Sequence, residues 1–228
     1  MAELAARHDL DAHKQRQLQL LLAALAAEAD PHTTVSSPEE AVRIHLADSL
    51  SALELPALAG GGPVADVGAG AGFPGLALAV ALPTRSVVLI ESMARKCAVM
   101  DRLVRRAHLE NATILNERAE EHARLEGRDG YGVVTARAVA PLPVLVEYAA
   151  PLLAMGGSLV AWKGRRDACE GDAGARAALA VGMELVEVRD AKPFEGARDR
   201  HLHVFRKAAP TPNRFPRRTG VARKRPLA

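Results

Sequence analysis

Apolar residues return at helical spacing from His13 to Ala29, which predicts an amphipathic helix. A second helix is predicted from Ser37 to about Glu54: Ser37 reads as its N-cap, Pro38 occupies the first turn and Glu40 completes a capping box. Ala41, Ile44, Leu46, Ser49 and Leu53 would face partly inward along it. Gly60-Gly61-Gly62-Pro63 then breaks the chain. Beyond it, short apolar runs alternate with helical patterns. Strands are predicted at 63–67, 86–91, 112–116, 131–136 and 157–162, and helices at 73–82, 93–108, 141–154 and 167–180. The strands do not alternate apolar and polar, as expected of a parallel sheet covered on both faces. Two last strands, 183–189 and 201–206, are joined by a loop too short for a crossover helix, so they should pair antiparallel. The expected architecture is α/β: a mostly parallel seven-stranded sheet with a terminal antiparallel hairpin and N-terminal helices. Right-handed crossovers and the switch in strand order put the ligand at the carboxyl ends of the strands. By organisation, 1–60 is a helical extension, 61–207 the α/β domain and 208–228 a tail.

Composition narrows the class. With 228 residues, 49% hydrophobic but 3% aromatic, one domain should pack around Ala, Leu and Val. Cys97 and Cys169 make no disulfide framework; Cys97 falls in an amphipathic helix and should be buried, which fits a reduced, cytoplasmic protein. Leu18 to Ala29 imitates a secretory leader, but Gln15, Gln17 and Gln19 interrupt it and Asp9 and Asp11 spoil its basic front. No run approaches the length of a membrane span. The charge is uneven: from Arg206 onward there are eight Lys or Arg and no acid, so the preceding residues carry −5 within a whole-chain +3. A basic tail reads as a nucleic-acid contact, the bland alternative being a disordered solubility tail. Pro210, Pro212, Pro216 and Pro226 should keep it from forming a helix. Lying beyond the last strand, it is expected to affect RNA affinity and to leave cofactor affinity nearly unchanged.

The most informative run is Asp66-Val67-Gly68-Ala69-Gly70-Ala71-Gly72-Phe73-Pro74-Gly75. Glycines after a strand allow positive φ and close approach of a ligand to the main chain, and a helix N-terminus follows. Gly70, Gly72 and Gly75 match the dinucleotide fingerprint, with Glu91 about twenty residues on. Against a dinucleotide stand Asp66, a like charge beside a pyrophosphate; Pro74, which lacks an N–H; and a glycine pattern that starts early, at Gly68. Asp-x-Gly-x-Gly-x-Gly instead resembles motif I of class I S-adenosylmethionine-dependent methyltransferases, whose ligand is cationic at sulfur and at its amino group. A terminal hairpin after five parallel strands is also that class's layout.

Strand-end residues should line one crevice. Asp66 would engage the methionine amino group, and Glu91 both ribose hydroxyls, or else act as an acid at the next helix start. Glu120, beside Ala119, would meet the adenine edge or be one of several surface acids. The segment Thr135-Ala136-Arg137-Ala138-Val139-Ala140-Pro141 has no Asp/Asn-Pro-Pro-aromatic clamp for an exocyclic amine, and no cysteine lies near for attack on a pyrimidine ring. A ring nitrogen such as guanine N7 has a lone pair and no proton to lose, so positioning suffices. Arg137 could grip guanine O6 or a phosphate, or form a salt bridge that shapes the pocket. Lys163, Arg165 and Arg166 form a cationic rim for phosphates; Trp162 would fill the sheet end or stack on a base. His45 is read as structural.

Together these segments resemble the bacterial 16S rRNA (guanine-N7) methyltransferases, also called glucose-inhibited division protein B. The match runs through Ile44-His45-Leu46-Ala47-Asp48-Ser49-Leu50, Asp66 to Gly75, Arg118-Ala119-Glu120, Val134 to Pro141, Trp162-Lys163-Gly164 and Arg214-Phe215-Pro216-Arg217-Arg218-Thr219-Gly220. It implies methylation of N7 of a guanine in the 530 loop of 16S rRNA. Contacts to S-adenosyl-L-methionine are implied at Gly68, Phe73, Ala119, Glu120 and Arg137, and are expected too at Asp66, Gly70, Gly72 and Glu91. RNA contacts are expected from Lys163, Arg165, Arg166, Arg214, Arg217 and Arg218. Ser92 stands where the family often has proline. The partner would be 16S rRNA or the small ribosomal subunit, met by a monomer with no membrane involved. The other readings are a non-catalytic RNA-binding or ribosome-assembly protein, which would not need the glycine loop and Glu91, and a small-molecule methyltransferase, disfavoured by the basic tail and rim.

Overall fold

The computed structural model describes residues 1–35 and 37–227; Ala228, the last residue of the expected tail, lies outside them. A helical region comes first. Helices α1 (Ala2–Arg7) and α2 (Ala12–Ala26) lead to α3 (Pro38–Ala41), a π-helical turn over Val42–Ala47, α4 (Asp48–Leu50), a 3-10 turn over Ser51–Glu54 and α5 (Pro56–Ala59). Ser37 caps α3, its Oγ accepting from Glu40 N at 3.1 Å, although the two acids behind it do not start one uninterrupted helix. The predicted single helix is instead a change of winding in midcourse, from α to π to 3-10.

The α/β body then runs β1 (Val64–Val67), α6 (Gly75–Ala81), β2 (Val87–Ile90), α7 (Ala94–Ala107), β3 (Ala112–Leu115), α8 (Ala119–His122), β4 (Tyr131–Arg137), α9 (Leu142–Ala149), β5 (Leu153–Lys163), α10 (Ala168–Ala180), β6 (Met183–Asp190) and β7 (His201–Lys207), followed by α11 (Val221–Lys224). The seven strands form one sheet in the order β3-β2-β1-β4-β5-β7-β6. β1 to β5 pair in parallel, while β7 runs antiparallel to both β5 and β6, so the expected layout holds. The order reverses between β1 and β4, which opens the crevice there.

Two boundaries differ from the prediction for readable reasons. α9 stops at Ala149: Ala150 still holds helical backbone (φ −53°, ψ −48°), but Pro151 has no N–H with which to continue the helix, and β5 begins already at Leu153. The pairing of β4 with β5 slips between Tyr131 and Val133. In the slip Gly157 packs so closely that a Cβ would meet Gly132 O at 2.9 Å.

Apolar side chains fill both faces of the sheet. Leu18, Leu21 and Leu25 of α2 pack with α6 and α7 on one face. On the other, α9 and α10 meet Phe205, and the tail adds Phe215 and Ala222 to the same cluster. The tail is therefore built into the body, and it ends in a short helix despite its prolines. Cys97 is buried on α7, its Sγ donating to Glu91 O at 3.3 Å, whereas Cys169 is exposed on α10. Among the described residues no helix is long and apolar enough to cross a membrane, and no cluster of metal-binding side chains occurs.

Candidate active site

The turn after β1 takes its shape from three glycines with positive φ, Gly68 (68°), Gly70 (61°) and Gly72 (96°), but they serve different ends. A Cβ on Gly68 would stand 2.7 Å from Val139 Cγ2, so the backbone there lies against the segment after β4. At Gly72 a Cβ would strike Leu76 Cδ1 at 2.4 Å, which makes that glycine a packing requirement between turn and helix. At Gly70 a Cβ would make only an ordinary contact, with Gly68 O at 3.8 Å, and the Gly70 N–H donates to Glu91 Oε2 at 3.2 Å. The other oxygen of Glu91 accepts from Met93 N at 2.9 Å. One carboxylate thus fastens the ends of β1 and β2; Oε1 also accepts from Ser92 Oγ at 3.5 Å, while Oε2 keeps a lone pair for a further donor.

Asp66 departs from its expected role. It is fully buried, its Oδ2 accepts from Gly75 N at 2.8 Å and its Oδ1 from Thr135 Oγ1 at 2.8 Å. Burial pushes its pKa up to about 6, against the pull of those hydrogen bonds and of Arg137. The carboxylate turns beneath the glycine loop and holds the N-terminus of α6, so it does not face the crevice. Phe73 is also buried; its ring stacks on His45, centroids 4.8 Å apart. His45 is structural in this setting, with Nε2 3.1 Å from Thr33 Oγ1 and its pKa lowered to about 4 by burial and by Arg137.

At the carboxyl ends of the strands lies a cavity of about 320 Å³. Gly68, Glu91, Ala119, Glu120, Val139 and Tyr148 contribute to its walls. Gly68, Glu91, Ala119 and Glu120 were all expected there; Asp66, Gly70, Gly72, Phe73 and Arg137 support the surroundings without lining it. Tyr148, Lys96, Arg118 and Arg223 also line it and were missed. Ala138, another lining residue, carries a φ of 56°; no sequence signal marks an alanine forced into the left-handed region, which is the kind of strain found around binding sites.

Arg137 ends β4 beside the cavity. Its Nη1 donates to Ile44 O at 2.7 Å and to Asp48 Oδ2 at 3.0 Å, so the salt bridge foreseen as an alternative exists. Asp48 is buried, and its backbone O accepts from Trp162 Nε1 at 2.8 Å. Trp162 accordingly fills the sheet end and is not free to stack on a base. No partner of Arg137 Nε or Nη2 occurs among the described residues.

The expected RNA contacts divide. Arg165 and Arg166 are exposed, but Lys163 Nζ is paired with Glu170 Oε1 at 2.6 Å. Arg214 and Arg218 are exposed, the former with its guanidinium 5.1 Å from the Phe215 ring centre. Arg217 does not fit the expectation: it grips buried Glu147 with Nε to Oε1 at 2.8 Å and Nη2 to Oε2 at 2.5 Å. A guanidinium held by a buried carboxylate has its fork already occupied.

The comparisons agree with this architecture. A structure of Aeropyrum pernix fibrillarin with natively bound S-adenosyl-L-methionine superposes with a TM-score of 0.55 at 17% identity, covering 70% of this chain and 72% of that one; this likeness speaks for the class I methyltransferase fold. The ribosomal RNA small subunit methyltransferase G of Chloroflexus aggregans is 40% identical over 221 residues, 96% of this chain and 92% of the relative. That of Bacillus subtilis is 35% identical over 197 residues, 86% and 82% of the two chains. The family model described as rRNA small subunit methyltransferase G matches residues 14–202. With the glycine turn, the strand-end carboxylates and the fold in agreement, the chain belongs to the rRNA small subunit methyltransferase G family.

Proposed function

We propose that this protein methylates N7 of a guanine in the 530 loop of 16S rRNA, with S-adenosylmethionine as the methyl donor, acting as a monomer in the cytoplasm. The observation that carries the reading is the cavity at the β1–β4 switch, where Gly68, Glu91, Ala119 and Glu120 converge. Its residues fit that donor: Gly68 offers bare backbone where a Cβ would clash, and Glu91 Oε2, with one donor on it, retains a lone pair for a hydroxyl. Ile90 and Val139 give apolar wall for a purine, and Glu120 can accept from an exocyclic amine. When bound, the cofactor supplies a methyl group made electrophilic by a sulfonium.

The protein's own task is then placement. Guanine N7 carries a lone pair and no proton, so no side chain has to act as a base. Asp66, buried and bonded on both oxygens, is not required for proton removal. Arg137 is the residue assigned to orient the reacting groups. Its Nη1 is anchored to Ile44 and Asp48, which fixes the guanidinium plane and leaves Nε and Nη2 as donors for a purine O6 or a phosphate. The exposed cations Arg165, Arg166, Arg214 and Arg218 would hold the RNA backbone, as sequence-independent phosphate contacts do.

Incubation of 16S rRNA and of small ribosomal subunits with methyl-labelled S-adenosylmethionine, followed by mapping of the labelled nucleotide, tests the proposal. Label on one guanine of the 530 loop, at N7, is the expected result. Label elsewhere, or none on either substrate, refutes it.

A further inference from the structure

The tail reaches the cavity. Gly220 N donates to Glu120 Oε1 at 2.9 Å, and Thr219 Oγ1 lies 3.2 Å from Glu121 Oε1. Three residues on, Arg223 Nη2 donates to Val139 O at 2.7 Å, and Arg223 itself lines the cavity. Glu120 is 3% exposed and Val139 is the residue whose side chain meets Gly68. Each of these three contacts therefore falls on a residue of the cavity wall or directly beside one. The segment is anchored before and between these contacts: Phe215 and Ala222 are buried in the core, and Arg217 is clamped to Glu147. The expectation that a tail beyond the last strand would leave the cofactor site alone is thereby reversed.

We infer that the C-terminal segment is a structural wall of the cofactor cavity and that Arg223 is a cofactor-binding residue. The inference rests on the proposed function for the identity of the ligand. Chemically, Arg223 suits the nucleoside part of such a ligand. A guanidinium has a flat face that stacks on a purine and five N–H donors, of which the contact to Val139 O engages one side only. Lys96 and Arg118 also border the cavity, but they sit on α7 and at the N-cap of α8; of these three cations Arg223 is the one that comes from the tail. Lys224, its neighbour, is exposed and does not line the cavity, which supplies an internal control of equal charge.

The test is calorimetric titration of S-adenosylmethionine into the full-length protein and its Arg223→Ala, Arg223→Lys and Lys224→Ala variants, with thermal melts alongside. Arg223 is exposed, so its replacement should leave the melt near that of the wild type. Arg223→Ala should weaken binding about tenfold, the scale of one lost charge-assisted contact. Arg223→Lys should recover little, because a point charge cannot replace a plane, and Lys224→Ala should bind as the wild type does. In steady state the same Arg223→Ala change should raise the cofactor KM while the RNA KM stays within about twofold. Wild-type affinity in Arg223→Ala overturns the inference, as does an equal loss in Lys224→Ala, which would make the effect one of general charge. Absence of binding by the wild type refutes the proposed function, and this inference with it.

Discussion

Gly68 and Gly70 share a backbone region yet should differ in what a single methyl group does to them. Both have positive φ, so alanine strains either by about 1–2 kcal/mol. Only at Gly68 does the added Cβ meet a side chain, Val139 Cγ2 at 2.7 Å, and only Gly68 lines the cavity. Gly68→Ala should therefore weaken S-adenosylmethionine binding by at least about tenfold, with Gly70→Ala clearly milder; calorimetry that finds the two equal would remove Gly68 from the wall. His45 makes a second prediction at this scale. Its folded pKa of about 4 lies below the ordinary 6.5, through burial and then Arg137. As pH falls the unfolded chain takes up that proton first, so stability is lost between about 6.5 and 4, by up to about 3 kcal/mol. Asp66 opposes this: with its pKa raised to about 6 from 3.8, the folded state holds the proton longer and gains stability over much of the same range. Wild-type curves contain both effects. His45→Gln isolates one, and should lose less stability than the wild type between pH 7 and pH 5 in urea unfolding; parallel losses would contradict the assignment.

Where β4 ends, Arg137 joins the sheet to the helical region, and its replacement acts on both. Arg137→Ala leaves buried Asp48 without its hydrogen-bonded cation, with Arg200 Nε 3.7 Å away as the remaining partner. A loss of about 3 kcal/mol is expected. Asp48→Asn added to it removes the stranded charge and should restore much of the melt. Turnover should stay at least about tenfold down in the double variant if the guanidinium orients the reacting groups as proposed; single-turnover rates that recover with stability would leave Arg137 a purely architectural role. Elements of this kind were only partly legible. The glycine turn and Glu91 could be read because strand, turn and helix are contiguous in the chain. The π-helical turn at Val42–Ala47 could not, since the partner of Ile44 O lies 93 residues away. Asp66 was placed correctly at a strand end, but spacing does not tell which way a carboxylate turns, and Thr135 and Gly75 decide it. Arg217 was read as one of a run of cations because burial of Glu147 is a property of the folded body.

For the molecule as a whole, two adjacent arginines should separate stability from RNA binding. Arg217→Ala strands Glu147, 1% exposed, and should cost about 3 kcal/mol with little change in the salt dependence of RNA affinity. Arg218→Ala should leave the melt alone and flatten the slope of log K against log salt by about 1. Binding isotherms at several salt concentrations beside thermal melts check both, and the opposite pattern would return Arg217 to the RNA surface. The two cysteines carry a consequence of another kind. A thiol reacts as its thiolate and only when reached by the reagent. Cys97 is buried with its pKa raised, first by that burial, whereas Cys169 is exposed. The folded protein should consume one equivalent of a maleimide and the denatured chain two. Cys169 adjoins Glu170, the carboxylate that holds Lys163. A dye attached to the unaltered protein therefore sits three residues from Arg166 of the cationic rim, where its brightness can record the arrival of RNA.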